Sequence, residues 1–378
     1  NTTSNACTVT LPASPEVGDQ IVLADYARTW ATNAVTIDSN GNNFQGEADT
    51  YIVDYDTVGQ SLNIVYADST KGWLPVSDDA VADVGVAPAT QKGLFAFGYT
   101  GSLTSVKNLV NSSGVVASDV TGVGTARYGL AASSYGGDKA IFAYGYASGY
   151  VSMSNLVNNS GVVAADVSGV GSARSGLGSS SYGGDKAIFG FGSTGSYVSL
   201  TNLVNNSGVV GADVSGVGTA RFGIAATEYG EDKGIFGFGF TAAENLTGVT
   251  NLISNSGVVA SDVSAVGTAR RYASAAPYGG DKGIFAYGNT SGGGNVSMSN
   301  LVSNSGVVAS DVSGVGTARE GSNATNYGGD KAIFGFGNSG SVTGVTNLVN
   351  NSGVIAADVS AVGTARSDPA AAGYSYSA

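Results

Sequence analysis

Six near-copies of one segment fill most of this 378-residue chain, and no other feature narrows its fold as far. A Thr/Ser-Ala-Arg tripeptide places its arginine at Arg127, Arg174, Arg221, Arg270, Arg319 and Arg366, in steps of 47, 47, 49, 49 and 47 residues. In phase with it, a lysine opens an apolar run at Lys92, Lys139, Lys186, Lys233, Lys282 and Lys331. A fixed period of this length marks a small unit that cannot bury its apolar face alone and must stack on its neighbours. Helical periodicity is absent from the unit, so its elements read as strands.

One unit, taken from Ala126, divides into four extended pieces. Gly129 to Tyr135 is small and alternating and ends at a Gly136-Gly137 turn. Lys139 to Gly145 carries Phe142 and Tyr144 on one face and Ile141 and Ala143 on the other, the pattern of a strand buried on both sides. Val151 to Val157 follows, then Asn158-Asn159-Ser160-Gly161, a hairpin signal because Asn and Gly tolerate positive φ. Val162 to Val167 completes the unit. Four strands per 47-residue unit, six times over, predict an all-β fold, a six-bladed β-propeller. The alternative is a β-solenoid, whose rungs of roughly 20–30 residues would require two per unit. The chain ends favour the ring. The first unit starts directly at Lys92 to Gly98, and the last arginine is followed by SDPAAAGYSYSA, a first strand with nothing after it. That C-terminal strand is expected to complete the first blade.

Residues 1–86 are different in kind. They hold twelve acids against two bases, whereas residues 87–378 hold sixteen acids and fourteen bases, so the net charge of −12 is concentrated at the N-terminal end. Gln20 to Leu23, Ala34 to Ile37, Thr50 to Val53 and Ser61 to Val65 read as short strands, which predicts a small acidic β domain. Asp78 to Pro88 is acidic and short of large apolar residues and reads as a linker, leaving 87–378 for the repeats. Neither part carries the basic stripe that nucleic acid requires. No apolar stretch approaches the roughly 20 residues that span a bilayer, so no membrane insertion is expected. The chain opens at Asn1 without a secretory apolar segment and reads as processed or as a fragment.

The repeat and the N-terminal segment each carry a resemblance. The order arginine, small strand, Gly-Gly, apolar strand, hairpin and return resembles kelch-type propellers, although the paired glycines precede the apolar strand and no repeat holds the kelch tryptophan. The array YGGDK…FGFG…NLV.NSGVV…GTAR is similar to arrays in tail and fibre proteins of bacteriophages, marine ones especially. Within residues 8–75, TVTLPASPEVGDQIVLADY, NAVTIDSNGNNFQG and LNIVYADSTKGWLPV resemble a β-rich domain common in phage tail fibres. Together the resemblances cover nearly the whole chain. They imply an extracellular virion protein that meets other virion proteins and a host-surface glycan or receptor. They also imply a homotrimer formed through the N-terminal domain.

Chemistry has few footholds. Histidine is absent, which removes Ser–His and Cys–His nucleophile pairs, His-ligated zinc and histidine bases. The one cysteine, Cys7, allows no intrachain disulfide or Cys-rich metal centre and reads as a small buried apolar residue. Asp119, Asp166, Asp213, Asp262, Asp311 and Asp358 stand eight residues before the arginines, and Asp-Lys pairs such as Asp138-Lys139 precede the apolar strands. Charges present in every repeat read as structural. The alternative for the arginines is a ring at a channel mouth that holds an anion. Glu228, Glu231, Glu244, Glu320 and Asp368 are the acids that do not recur, and their spacing pairs none of them, so no catalytic residue, metal site or cofactor is assigned.

Binding is expected where the repeats disagree. The loops after the apolar strands vary most, as do the residues after each arginine, and in an up-and-down blade both lie on one face. Exposed aromatics among Asn and Ser suit sugars, which makes Tyr146, Tyr150, Tyr197, Phe240 and Tyr272 the candidate ligand contacts. The expected function is adhesion of a non-enzymatic virion fibre or appendage to a host-surface glycan. The alternatives are a structural or decoration module without a ligand, and an extracellular polysaccharide hydrolase.

Overall fold

Strands form here because small and apolar residues alternate between glycine-rich turns. A computed structural model describes residues 2–49, 53–77, 90–242, 245–292 and 294–376, and in them every regular element is a strand. The chain divides into two compact units, Asn1–Gly85 and Val86–Ala378. The expected linker, Asp78 to Pro88, and Thr50 to Ile52 of an expected strand lie outside the described residues.

The N-terminal unit has two three-stranded sheets. Cys7–Thr10 pairs in parallel with Val35–Asp38, which pairs antiparallel with Val53–Tyr55. Gln20–Ala24, Ser61–Asp68 and Gly72–Ser77 form an antiparallel sheet. Their inward faces bury Trp30, Ile37, Phe44, Leu62, Ile64 and Trp73. Cys7 is half-buried at the edge of this core. Asp25 ties the loops together by accepting the backbone N–H groups of Thr29, Trp30 and Gly59. Burial raises its pKa, but these bonds outweigh that and hold the carboxyl below its ordinary range.

The larger unit contains six three-stranded antiparallel sheets. The second sheet, Ala131–Tyr135, Lys139–Ala143 and Ser154–Val157, sets the pattern. The third is Gly178–Tyr182, Lys186–Gly190 and Thr201–Val204; the fourth is Ala225–Tyr229, Lys233–Gly237 and Thr250–Ile253. The fifth is Ser274–Tyr278, Lys282–Ala286 and Ser299–Val302; the sixth is Asn323–Tyr327, Lys331–Gly335 and Thr346–Val349. The first sheet joins the two ends of the unit: Lys92–Tyr99 and Leu103–Val110 receive Ala370–Tyr374 as the missing strand. This is the pairing expected from the C-terminal sequence.

The expected fourth strand, Val162 to Val167, is reduced to isolated bridges, Val163 with Val157 and Val167 with Ser154. A side chain intrudes between them: Asn155 Nδ2 donates to the carbonyl of Ala164 at 3.0 Å and to Asp166 Oδ1 at 2.9 Å. Side-chain bonds thus take over part of what a continuous ladder would do.

Contacts between sheets return to their start. Each sheet's Ala131–Tyr135-type strand touches the next, Asn323–Tyr327 touches Ala370–Tyr374, and Ala370–Tyr374 touches Ala131–Tyr135. Aromatic pairs follow the same circuit: Phe97 on Phe142, Tyr144 on Phe189, Phe191 on Phe236, Phe238 on Phe285, Tyr287 on Phe334 and Phe336 on Phe95, with centroids 5.1–5.5 Å apart. Each such pair adds about 0.5–1.5 kcal/mol beyond its burial. The leading ring of every pair sits on a residue with φ of 62–65°, a left-handed conformation that disfavours side chains, so burial of the ring must hold it there.

The six repeat arginines lie between the sheets. All are 0% exposed, which overturns the anion-binding ring at a channel mouth. The Arg127 guanidinium stacks 4.3 Å from the Phe97 centroid in the first sheet, and within the second sheet it donates to Tyr144 O, Thr125 O and Asn155 Oδ1. Asp166 accepts the Thr125 N–H and hydroxyl and lies 3.8 Å from Arg127. The repeating aspartate therefore serves the arginine of its own sheet, one repeat earlier in sequence, and not the arginine eight residues on. In the first sheet the same contact joins Thr364 to Asp119 across 245 residues, where Thr125 and Asp166 are only 41 apart. The Asp-Lys pairs are local, with Lys139 Nζ 2.9 Å from Asp138, whose other oxygen accepts from Asn159.

Candidate functional site

The residues that vary between repeats are brought onto one face. Bridges join the residue after each arginine to the loop after the apolar strand: Tyr128 to Tyr146 to Tyr150, Ser175 to Ser193 to Tyr197, and Phe222 to Phe240 to Leu246. The near-constant turns adjoin one another elsewhere, as the Asp138–Asn159 hydrogen bond at 3.0 Å requires.

On the variable face, the aromatic residues form two clusters. In one, Tyr99, Tyr128, Tyr146 and Tyr150 follow one another with centroid separations of 6.0, 5.7 and 5.3 Å. Its end members are the open ones: Tyr99 is 41% and Tyr150 38% exposed, while Tyr128 and Tyr146 are half-buried between them. Beside Tyr150 lies a hollow of about 380 Å³ bordered by Ser152, Met153, Asp166 and Ser168. The other cluster packs Tyr197, Phe222, Phe240 and Tyr272 with centroids 5.3–6.0 Å apart.

The five candidates thus divide between two clusters. Tyr146 and Tyr150 belong to the first, and Tyr197, Phe240 and Tyr272 to the second. Phe240 is only 6% exposed, so it supports its neighbours and offers no face of its own, which corrects its assignment as a contact. Tyr99, Tyr128 and Phe222 complete the clusters and were not among the candidates. The signal for Tyr128 and Phe222 was their place after an arginine, bridged directly to the loop.

A backbone circuit closes the centre of this face. Gly176 donates its N–H to Gly129 O, Gly223 to Gly176 O, Tyr272 to Gly223 O, Gly321 to Tyr272 O, Asp368 to Gly321 O and Gly129 to Asp368 O. All six residues have φ between 49 and 63°. Four are glycine, for which this is inexpensive; Tyr272 and Asp368 are the exceptions and project side chains over the ring. Around them the face is acidic. Burial raises Asp368 to about 6, against a weaker opposing bond from Ser367, and Glu320 adds to the shift. Glu320 is also raised by burial, with Arg271 opposing. Glu320 Oε2 and Arg271 Nε are enclosed without hydrogen-bond partners.

From beside this circuit to the turn glycines Gly137, Gly184 and Gly280, the innermost strands line a cavity of about 390 Å³. Its wall is mostly small: Ala132, Ser134, Ser179, Ser181, Ala226, Ala275, Ala324 and Gly373 among others, with Glu228 and Glu231 as charged groups.

No protein-family model matches the chain, and no curated protein shows detectable sequence similarity to it. What the site does has to be argued from its own residues.

Proposed function

We propose that the six sheets of 87–378 are the blades of a β-propeller and that its variable face is an adhesion surface for a glycan. Three features support the ring: the pairing of Ala370–Tyr374 with Lys92–Tyr99, the circuit of aromatic pairs, and the backbone circuit through Gly129 and Asp368. An open solenoid has no use for contacts that join its ends. The observation that carries the adhesion is the row of four tyrosines from Tyr99 to Tyr150, open at both ends and beside a polar hollow. Sugar rings stack their C–H faces on such platforms while hydroxyls bond to nearby polar groups, a larger version of the aromatic handles that dominate exposed binding sites. The resemblance of the repeats to phage fibre arrays makes a virion appendage the setting, with the N-terminal domain as its trimerising base.

The test is a glycan array and host-cell binding assay on the full chain. Tyr99→Ala and Tyr150→Ala are expected to abolish or weaken saturable binding, while Tyr197→Ala, in the other cluster, has little effect. Binding unchanged by both of the first two substitutions overturns the tyrosine platform. No binding to any glycan or cell surface favours a structural module instead.

A second proposal has its own observation. Two acids with raised pKa values, Glu320 and Asp368, share the centre of the variable face, and glycoside hydrolysis uses a carboxyl pair of this kind. Neither cavity described above is lined by either acid, so adhesion is favoured. Release of reducing sugar from a polysaccharide, lost in Asp368→Asn, would reverse that preference.

A further inference from the structure

In the cavity lined by the innermost strands, the fourth sheet alone carries carboxylates, and it does so at two positions. At the wall position filled by Ser134, Ser181, Pro277, Asn326 and Gly373 in five sheets, the fourth places Glu228. At the rim, where Gly137, Gly184, Gly280 and Gly329 make the turn, it places Glu231. Glu231 has φ of 68°, where a side chain is disfavoured and glycine is not, so the local turn geometry does not explain its presence. Both departures put a carboxylate on one cavity.

Among the described residues Glu228 has no cationic partner. Ser181 Oγ donates to Glu228 Oε2 at 2.5 Å, a single neutral donor for a half-buried carboxylate. The neighbouring charges that act on Glu228 are Asp232 and Glu231, both acids, and Asp232 is already paired with Lys233 at 2.6 Å. Among the described residues no lysine or arginine lines the cavity, and Tyr135 and Tyr278 are the other titratable groups on its wall. Burial pushes the Glu228 carboxyl up to about 7, the Ser181 bond opposing and the two acids adding to it. A bound cation would reverse that.

We propose that this cavity binds a small organic cation, a primary ammonium, with Glu228 as its counterion and Glu231 as the charge that draws it to the mouth. An ammonium brings three donors and one positive charge. The Glu228 carboxylate supplies the charge, and the Ser134 hydroxyl and Asn326 amide oxygen, at the equivalent position of strands two sheets away on either side, line the same cavity as further acceptors. A calcium ion is a poorer fit because it requires six to eight oxygens. Among the described residues no three acids, cysteines or histidines converge as a metal site. This site is separate from the proposed adhesion face and stands whether or not that face takes a glycan.

The experiment is calorimetric titration and thermal melting of the full chain at pH 8 with 1,4-diaminobutane, with 1,4-butanediol as the uncharged isostere and calcium chloride at matched ionic strength. The diamine is expected to bind saturably and raise the melting temperature, and the diol and calcium are not. Glu228→Gln, which keeps size and removes charge, is expected to lower diamine affinity at least tenfold while melting no lower than the wild type. Glu231→Gly restores the residue of the other repeats and is expected to weaken binding severalfold with the fold intact. The proposal is overturned if the folded wild type shows no diamine binding, if Glu228→Gln binds equally well, or if the diol or calcium gives the same shift.

Discussion

The interfaces between sheets and the cavity lined by their innermost strands follow opposite rules. At the interfaces each of six arginines donates Nη2 to an asparagine that in turn bonds an aspartate, and each guanidinium lies 3.9–4.7 Å from an aromatic centroid, although Nε reaches a carbonyl only in Arg127 and Arg174. On the cavity and the backbone circuit beside it the equivalent positions differ: Glu228 among Ser, Pro, Asn and Gly, and Tyr272 and Asp368 among glycines. Contacts that must hold in every repeat tolerate no variation, because one weak interface opens the whole circuit. Positions facing a lumen or an open face carry no such demand, so departures there point to a ligand.

The largest expected effect comes from breaking an interface. Arg174→Ala leaves Asn202 Oδ1 and the carbonyl of Phe191 without donors and strips the stacked cation from Tyr144, so a loss of about 3–5 kcal/mol is expected from denaturant midpoints. Arg270→Ala should lose less by about one hydrogen bond, because its Nε bonds no carbonyl. A difference of several kcal/mol between the two would show that the interfaces are not equivalent. Arg174→Lys should recover little, since an ammonium lacks the planar fork.

Acid separates the two regions by sign. For the six repeating aspartates burial raises the pKa, but bonds from Thr or Ser and Asn outweigh it, so the folded pKa lies below 3.8. Their stabilisation is present above that value and is lost as pH falls through the lowered folded pKa. Glu228, raised from 4.5 to about 7, does the reverse: its ionisation destabilises the fold above pH 7, and the penalty fades as pH falls toward 4.5. At roughly 1.4 kcal/mol per pKa unit, Glu228→Gln should gain up to about 3 kcal/mol at pH 8 and almost nothing at pH 4.5. Equal gains at both pH values would place the charge of Glu228 outside a closed cavity.

A smaller effect is expected at the rim. Glu231→Gly relieves a left-handed side chain and should stabilise by about 1 kcal/mol, whereas Gly184→Ala at the equivalent turn should lose a similar amount. The smallest is Tyr150→Ala, a largely surface change expected to move stability by less than about 0.5 kcal/mol even as it removes a proposed binding ring.

Much of the fold was legible because the repeat states it six times. Strand order, the Gly136-Gly137 turn and the C-terminal strand's partner all follow from period and composition. The fourth strand was less so: Val162 to Val167 alternates like a strand, but nothing in that run announces that Asn155 would reach across and take a ladder position. The candidate face was legible as a zone of variation, and three of its rings were not singled out. Tyr128 and Phe222 follow an arginine and reach the face by bridges to Tyr146 and Phe240 of their own sheets, while Tyr99 ends the strand Lys92–Tyr99 and bridges to Ser367.

From sequence alone came the period, the all-β character, the split in charge between residues 1–86 and 87–378, and the absence of histidine chemistry. These are properties of local pattern and composition. The tertiary structure decided which aspartate serves which arginine, which aromatics meet, and that Glu228 shares one cavity with Ser134 and Asn326. Those depend on residues dozens to hundreds of positions apart being held within hydrogen-bond or van der Waals reach. Spacing along a chain cannot specify that until the sheets have packed.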